Sequence, residues 1–308
     1  MIALLGHIAR HGRYGLVIGL LAGLALPDLA LVLKPWLPEM IGILLFLTAL
    51  RIGARQAFGS VGALGQSFRV LVAYQMVLPI LALTVFWVFG LASTSVALVV
   101  VLALAAPPIT GSPNFTILLG HDPAPALRLL VLGTAVFPVT VLPVFWMLPI
   151  LGSATAALAA SAWLMTVIAV SVGAGFVVRR VAFRSPGTNT INAIDGLTVI
   201  MLAVIVVGLM SALGPAIRTQ PYVFAMWLAL AFSLNFGMQI VAYRVLGKAP
   251  SRVPVSIIAG NRNVALFLVA LPPQITDPLL IFIGCYQLPM YLTPILLRRL
   301  YVRRPVSV

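Results

Sequence analysis

The chain has 308 residues, 62% hydrophobic and 8% charged, with a mean hydropathy of +1.16. No soluble core encloses that much apolar side chain, so the composition excludes a water-soluble globular protein and points to an integral membrane protein. A formal charge of +14 would suggest a nucleic-acid partner in a soluble chain, but here the basic residues must first be placed against the apolar spans.

In chain order, apolar stretches fall at roughly 14–33, 38–50 with an extension towards 54, 69–90, 93–120, 125–150, 157–178, 194–214, 222–243, 253–272 and 276–297. A span needs about 20 residues, so these predict ten transmembrane helices and an all-α membrane protein, a single integral domain over 1–308. The start, HIARHGRYG with His7 and His11, reads as a basic amphipathic segment resting on anionic lipid. The first apolar stretch carries no small-residue cleavage site followed by a soluble region, so no removable signal peptide is expected. With alternate connections taken as one side, Arg10, Arg13, Arg51, Arg55, Arg69, Arg128, Arg179, Arg180, Arg184, Arg244, Lys248, Arg252, Arg298, Arg299, Arg303 and Arg304 fall together. The other side receives Lys34 and Arg218, and Arg262 remains inside the ninth span. The positive-inside rule then puts both termini in the cytoplasm of a multi-pass protein of the plasma, or bacterial inner, membrane, and no nucleic-acid partner is needed. Cys285, in the last span, reads as packing.

The longest polar stretch, RRVAFRSPGTNTINAID at 179–195, lies near the midpoint and reads as a link between halves. Two spans interrupted by Gly, Pro and polar residues occupy corresponding places: ALAAPPITGSPNFTILLG (103–120) is the fourth and VPVSIIAGNRNVALFLVAL (253–271) the ninth. Placing Gly111 on Gly260 brings Asn114 onto Asn263, a shared G-x-x-N at an offset of 149 residues. Five helices per half make the copies run oppositely across the membrane, which predicts inverted repeats at approximately 14–150 and 157–298, as in many secondary transporters. An unpaired backbone group in hydrocarbon is costly, so the unwound segments belong inside protein or beside a wet cavity. Pro107, Pro108, Gly111 and Pro113 stop the fourth helix, which restarts near Pro113. Asn114 either folds its amide back onto freed backbone groups or offers its oxygen to a cation, and the restarted helix presents N–H groups to an anion. In the ninth span Gly260 is the expected flexible point and Asn261 the expected N-cap of the second half-helix. Pro79, Pro138, Pro143 and Pro289, alone in their spans, read as kinks satisfied by neighbours.

The stretches AAPPITGSPNFTILLGHDPAPALRLLVLGTAVFPVTVLP (105–143) and SIIAGNRNVALFLVALPP (256–273) resemble the bile acid:sodium symporter family, of the bile/arsenite/riboflavin transporter group. Weaker support comes from VLVAYQMVLPILAL (70–83) and LLFLTALRIG (44–53). The resemblance implies a core of helices 3–5 and 8–10, with helices 4 and 9 broken and crossing, and a panel of helices 1, 2, 6 and 7. Residues 1–178 would then hold panel helices 1, 2 and 6 with core helices 3–5, and 194–298 panel helix 7 with core helices 8–10. It also implies transport of organic anions such as bile salts or small carboxylates, with two sodium ions behind the crossover. Asn114 matches a sodium-coordinating asparagine, and Asn263 the family asparagine of helix 9. This chain is similar as a divergent member: Ile258 stands where the family places an acid, Arg262 where it places a glutamine ligand and Pro113 where it places a serine. Tyr74 or Gln75 takes the position of the third helix's glutamine. The two-sodium mechanism thereby loses ligands, and no cofactor is expected.

None of Asp28, Glu39, Asp122, Asp195 and Asp277 lies mid-span, so Arg262 must bond carbonyls, amides or a bound anion. Asn114, Asn261, Asn263, Gln75 and unwound carbonyls are its expected partners. It either replaces a coupling ion structurally or meets the substrate with a planar fork suited to carboxylate, phosphate or sulfonate. The candidate substrate site is Thr110, Ser112, Asn114, Asn261, Arg262, Asn263 and Gln287, and the built-in-cation neighbourhood is Gln75, Asn114, Thr134, Arg262 and Gln239. Pro108, Gly111, Pro113 and Gly260 make the helix breaks. Asn235 and Gln239, one turn apart, form a shared inward stripe. An enzyme is not expected, because no metal cluster, serine–lysine or aspartyl pair, or nucleotide loop is legible. The reading is a secondary transporter of a small organic anion working by alternating access; the alternatives are a conventional sodium-coupled symporter and a ligand-binding membrane sensor that does not transport.

Overall fold

A computed structural model of the chain describes residues 2–10, 12–54, 64–151 and 153–302. His11, Arg55, Arg303 and Arg304, which entered the expectations above, lie outside the described residues. Helices α1 (Ile2–Arg10), α2 (Gly12–Ala25), α3 (Pro27–Leu33) and α4 (Leu37–Ile52) come first, followed by α5 (Leu64–Val72) and α6 (Leu78–Val88). Next are α7 (Ser95–Ala105), α8 (Ser112–Leu118), α9 (Ala124–Met147), α10 (Ala154–Ala182), α11 (Thr188–Leu209) and α12 (Leu213–Thr219). The chain continues with α13 (Pro221–Val245), α14 (Arg252–Gly260), α15 (Phe267–Ala270), α16 (Pro273–Thr276), α17 (Leu280–Leu296) and α18 (Arg298–Tyr301).

Among the described residues, seven helical stretches are long and apolar enough to cross a membrane: Pro27–Ile52, Leu64–Val88, Ala124–Met147, Ala154–Ala182, Thr188–Thr219, Pro221–Val245 and Pro273–Leu296. The chain is thus an all-helical, multi-pass membrane protein. The stretches expected at 14–33, 93–120 and 253–272 are not among the seven because each is broken. The first stops at Ala25, since Leu26 precedes Pro27 and leaves the helical region (φ −120, ψ 68). The expected second span, 38–50, accordingly begins earlier, and α3 leads through a 3-10 turn at Lys34–Trp36 into α4. The polar link at 179–195 also shrinks, because α10 runs to Ala182 and α11 starts at Thr188. Asp195 is carried inside α11, where Arg51 pairs with it at 2.9 Å. Pro138 and Pro143 lie within a continuous α9, and Pro289 within α17.

The chain forms two compact units. The first comprises 1–59, 150–224 and 265–284. Within it α1 and α2 pack along α11, and a Cβ on Gly196 would meet the Leu5 carbonyl at 2.2 Å. The start of the chain thus packs on one side against α11. α4 runs opposite to α11: Leu37 lies against Gly208, while Arg51 at the far end reaches Asp195. The Lys34–Asp277 pair, 2.8 Å, belongs to the same unit.

The second unit comprises 60–149, 225–264 and 285–308. Its core holds two apolar clusters. Ile109, Phe115, Leu119, Val253, Ile257 and Met290 pack with Leu297 and Tyr301; Leu71, Ala126, Leu129, Val255 and Ile258 form the other. The breaks at 106–111 and 261–264, with α7, α8 and α14, lie in this unit.

Candidate functional site

The interruption between α7 and α8 and the one after α14 pair as an isolated antiparallel bridge, Pro108 opposite Arg262. The Ile109 N–H donates to the Asn261 carbonyl at 3.1 Å, and the Asn263 N–H donates to the Pro107 carbonyl at 2.8 Å. Pro107 and Pro108 have no N–H to give, so that segment offers one carbonyl and the amide of Ile109, and the other segment answers in kind. Unwound backbone thus finds its partners in the other break, as burial in an apolar medium demands. The bridged residues are 154 apart, and the flanking helices keep that offset to within a residue: α7 ends at Ala105 and α14 at Gly260, while α8 begins at Ser112 and α15 at Phe267. The bridge and the helix ends thus share an offset five or six residues longer than the 149 of the G-x-x-N alignment.

Arg262 is 2% exposed and is the largest of the fully buried side chains. Its Nε donates to the Ala259 carbonyl at 3.0 Å and its Nη1 to the Ala106 carbonyl at 3.1 Å. Both acceptors are freed by the breaks. Ala106 caps the C-terminus of α7, and the Asn263 N–H that would continue α14 onto Ala259 goes to Pro107 instead. The guanidinium therefore joins the carbonyl ends of two half-helices, where a cation is favoured. Its carbon lies 4.9 Å from the centre of the Tyr74 ring, and Nη2 is buried without a protein partner. Among the described residues its bonds go to these two backbone carbonyls and not to the expected Gln75, Asn114, Asn261 and Asn263.

Asn261 ends α14 at its C-cap (φ −97, ψ 90) and does not cap the next helix; its amide donates back to the Ile257 carbonyl at 2.8 Å. Gly260 is required for close approach, since a Cβ there would lie 2.0 Å from the Asn235 carbonyl oxygen. The Gly260 carbonyl accepts from Asn235 Nδ2 at 2.6 Å and from the Tyr286 hydroxyl. Gln239 Nε2 donates to Asn235 Oδ1 at 2.7 Å and to Thr293 Oγ1 at 3.0 Å, and Gln239 Oε1 accepts from the Tyr301 hydroxyl at 3.1 Å. Burial pushes the Tyr301 phenol well above its ordinary range, so it remains the donor. Both Gln239 N–H groups are engaged and its oxygen accepts one bond. The Asn235–Gln239 stripe is a hydrogen-bonded network joining α13 to the end of α14 and to α17 and α18.

Thr293 was not singled out from sequence, yet its hydroxyl accepts from Gln239 and donates its one hydrogen to the Pro289 carbonyl (3.0 Å) or Asn261 Oδ1 (3.3 Å). Thr293→Val is expected to cost about 1–2 kcal/mol by stranding buried polar atoms. Thr84→Val, which loses one exposed bond to the Ile80 carbonyl, should stay within about 0.5 kcal/mol; thermal unfolding of the two variants compares them.

A π-turn spans Ala73–Val77, where the sequence left Tyr74 and Gln75 as alternatives. The extra residue turns both side chains inward: the Tyr74 ring faces Arg262, and Gln75 Nε2 donates to the Gly133 carbonyl at 3.1 Å. Gln75 Oε1 accepts from Thr140, another residue the sequence reading missed, at 3.0 Å. Gln75 thus braces α9 and does not touch Arg262. Asn114 is exposed on α8 and folds back onto nothing, while Thr110, Pro113, Thr134 and Asn263 are half-buried. Ser112 is buried with its Oγ unpartnered, and Gln287 is buried. Ile258 lies in the apolar cluster of Leu71 and Leu129.

What fold and site define is a multi-pass helical membrane protein in which two broken helices pair around a buried arginine. Comparison with protein-family models finds no match, and comparison with curated proteins finds none that is significant.

Proposed function

We propose that the chain is a secondary active transporter of a small organic anion, of the bile acid:sodium symporter type, working by alternating access without the two-sodium mechanism. The carrying observation is Arg262, a fixed cation on the carbonyl ends of two half-helices, bonded to Ala106 and Ala259. A mobile cation there would meet a charge already in place. Nη2, buried and unpartnered, is the donor left for a carboxylate or sulfonate oxygen. Two inverted five-helix repeats are supported by the common offset of the helix ends around both breaks, and by α5–α6 preceding α7 as α13 precedes α14.

The test is thermal stability of the purified protein against a panel of small organic anions, each as sodium and as potassium salt, for wild type and Arg262→Gln. One anion should stabilise the wild type equally in both salts and give Arg262→Gln no more than the chloride of the same cation gives it, and the same anion should enter proteoliposomes without a sodium gradient. Stabilisation that needs sodium would restore ordinary symport and remove the built-in cation. Stabilisation without flux would make the protein a ligand-binding sensor.

A further inference from the structure

A second charged site lies in the first unit, far in sequence from Arg262. α4 and α10 run in parallel there, with Gly42 against Ser171 and Gly175 against Ala49, so their C-termini fall at the same end. A cavity of about 590 Å³ opens at that end, lined by Ile52, Gly53 and Ala54 and by Phe176, Val177, Arg179, Arg180 and Arg184. Part of this positive charge answers the helix ends. Arg179 Nη1 donates to the Leu50 carbonyl of α4 at 3.2 Å, and Arg184 Nε to the Arg180 carbonyl of α10 at 3.1 Å.

The two C-termini together amount to about one negative charge, whereas three arginines line the cavity. No carboxylate covers the difference: the ion pairs among the described residues are Lys34–Asp277 and Arg51–Asp195. Arg180 and Arg184 are exposed. Below them α10 carries an exposed apolar stripe at heptad-like spacing, Trp163, Val170, Val177 and Val181, and Val177 belongs to both stripe and cavity. An excess of guanidinium in a cavity too large for a bare phosphate, continuous with a lipid-facing stripe, matches one amphiphile. We infer that this cavity holds the phosphodiester headgroup of an anionic glycerophospholipid, with its acyl chains along α10.

The test measures melting temperature in neutral detergent with added phosphatidylglycerol, phosphatidylcholine or inorganic phosphate, for wild type, Arg180→Gln/Arg184→Gln and the charge-keeping Arg180→Lys/Arg184→Lys. Phosphatidylglycerol should raise the melting temperature of wild type and of the lysine variant saturably, while phosphatidylcholine and phosphate should not. The glutamine variant should need roughly 25-fold more phosphatidylglycerol, about fivefold per charge removed. An equal response to phosphatidylcholine, a response reproduced by phosphate, or a glutamine variant that titrates like wild type would each overturn the assignment. Arg179, which caps α4, is left in place, so helix packing is not perturbed.

Discussion

Arg262→Gln is expected to lower stability by about 3 kcal/mol and to make what remains depend on the cation in the buffer. The sign is not obvious, because a buried ion without a carboxylate is costly, and neutralising it often does no harm. Two features decide it. The guanidinium bridges the carbonyl ends of α7 and α14 through Ala106 and Ala259, and each end carries roughly half a negative charge. The arginine is therefore close to neutralised where it stands, and removing it leaves two negative helix ends facing each other. A glutamine amide reaches one of the carbonyls at most; the other loses a charge-assisted bond worth about 1.5–3 kcal/mol. A small monovalent cation could then take the vacated position between the carbonyls. Wild type should melt at one temperature in sodium, potassium and choline chloride, whereas Arg262→Gln should melt several degrees lower in choline and recover part of the loss in sodium or potassium. A variant as stable as wild type in choline would show that the guanidinium is not what holds the two ends together.

The sequence discloses the breaks but not what they do for each other. Pro107, Pro108 and Pro113 must stop a helix wherever they fall, and Asn261-Arg-Asn263 is conspicuous in an apolar run, so both interruptions are legible locally. That Pro107 and Ile109 bond Asn263 and Asn261 is a matter of three-dimensional register; a motif alignment centred on the glycines misses it by five residues. The π-turn that brings both Tyr74 and Gln75 inward has no sequence signature either. Asn235 and Gln239 were visible because they lie four residues apart on one helix. Their partners Thr293, Tyr286 and Tyr301 come from the far end of the chain and carry no pattern of their own. Asn114, conspicuous in the sequence for its place beside the break, has its side chain exposed on α8.

Gly260→Ala is expected to cost about 3–4 kcal/mol, while Gly111→Ala should change stability by less than about 0.5 kcal/mol. The shared G-x-x-N makes the two glycines look alike, but the structure gives them different work. At Gly111 φ is −76, and a Cβ would find Ile109 Cδ1 at 3.4 Å and Phe115 Cζ at 3.5 Å, ordinary contacts with movable side-chain ends. Alanine there also restricts the unfolded chain, which offsets any crowding. At Gly260 the added carbon would lie 2.0 Å from the Asn235 carbonyl oxygen and 2.6 Å from Gln239 Cγ. A backbone oxygen cannot rotate aside, so α13 must move away from α14 by more than an ångström. That movement pulls Asn235 Nδ2 from the Gly260 carbonyl (2.6 Å) and from Asn261 Oδ1 (3.4 Å), loosening the residue whose own carbonyl accepts from Ile109 across the bridge. One methyl group thus adds steric strain and removes hydrogen bonds from the network that fixes the end of α14, where Arg262 finds one of its two carbonyls. Thermal unfolding of the two alanine variants side by side reads the difference, and equal losses would show that Gly260 serves the break by its flexibility after all.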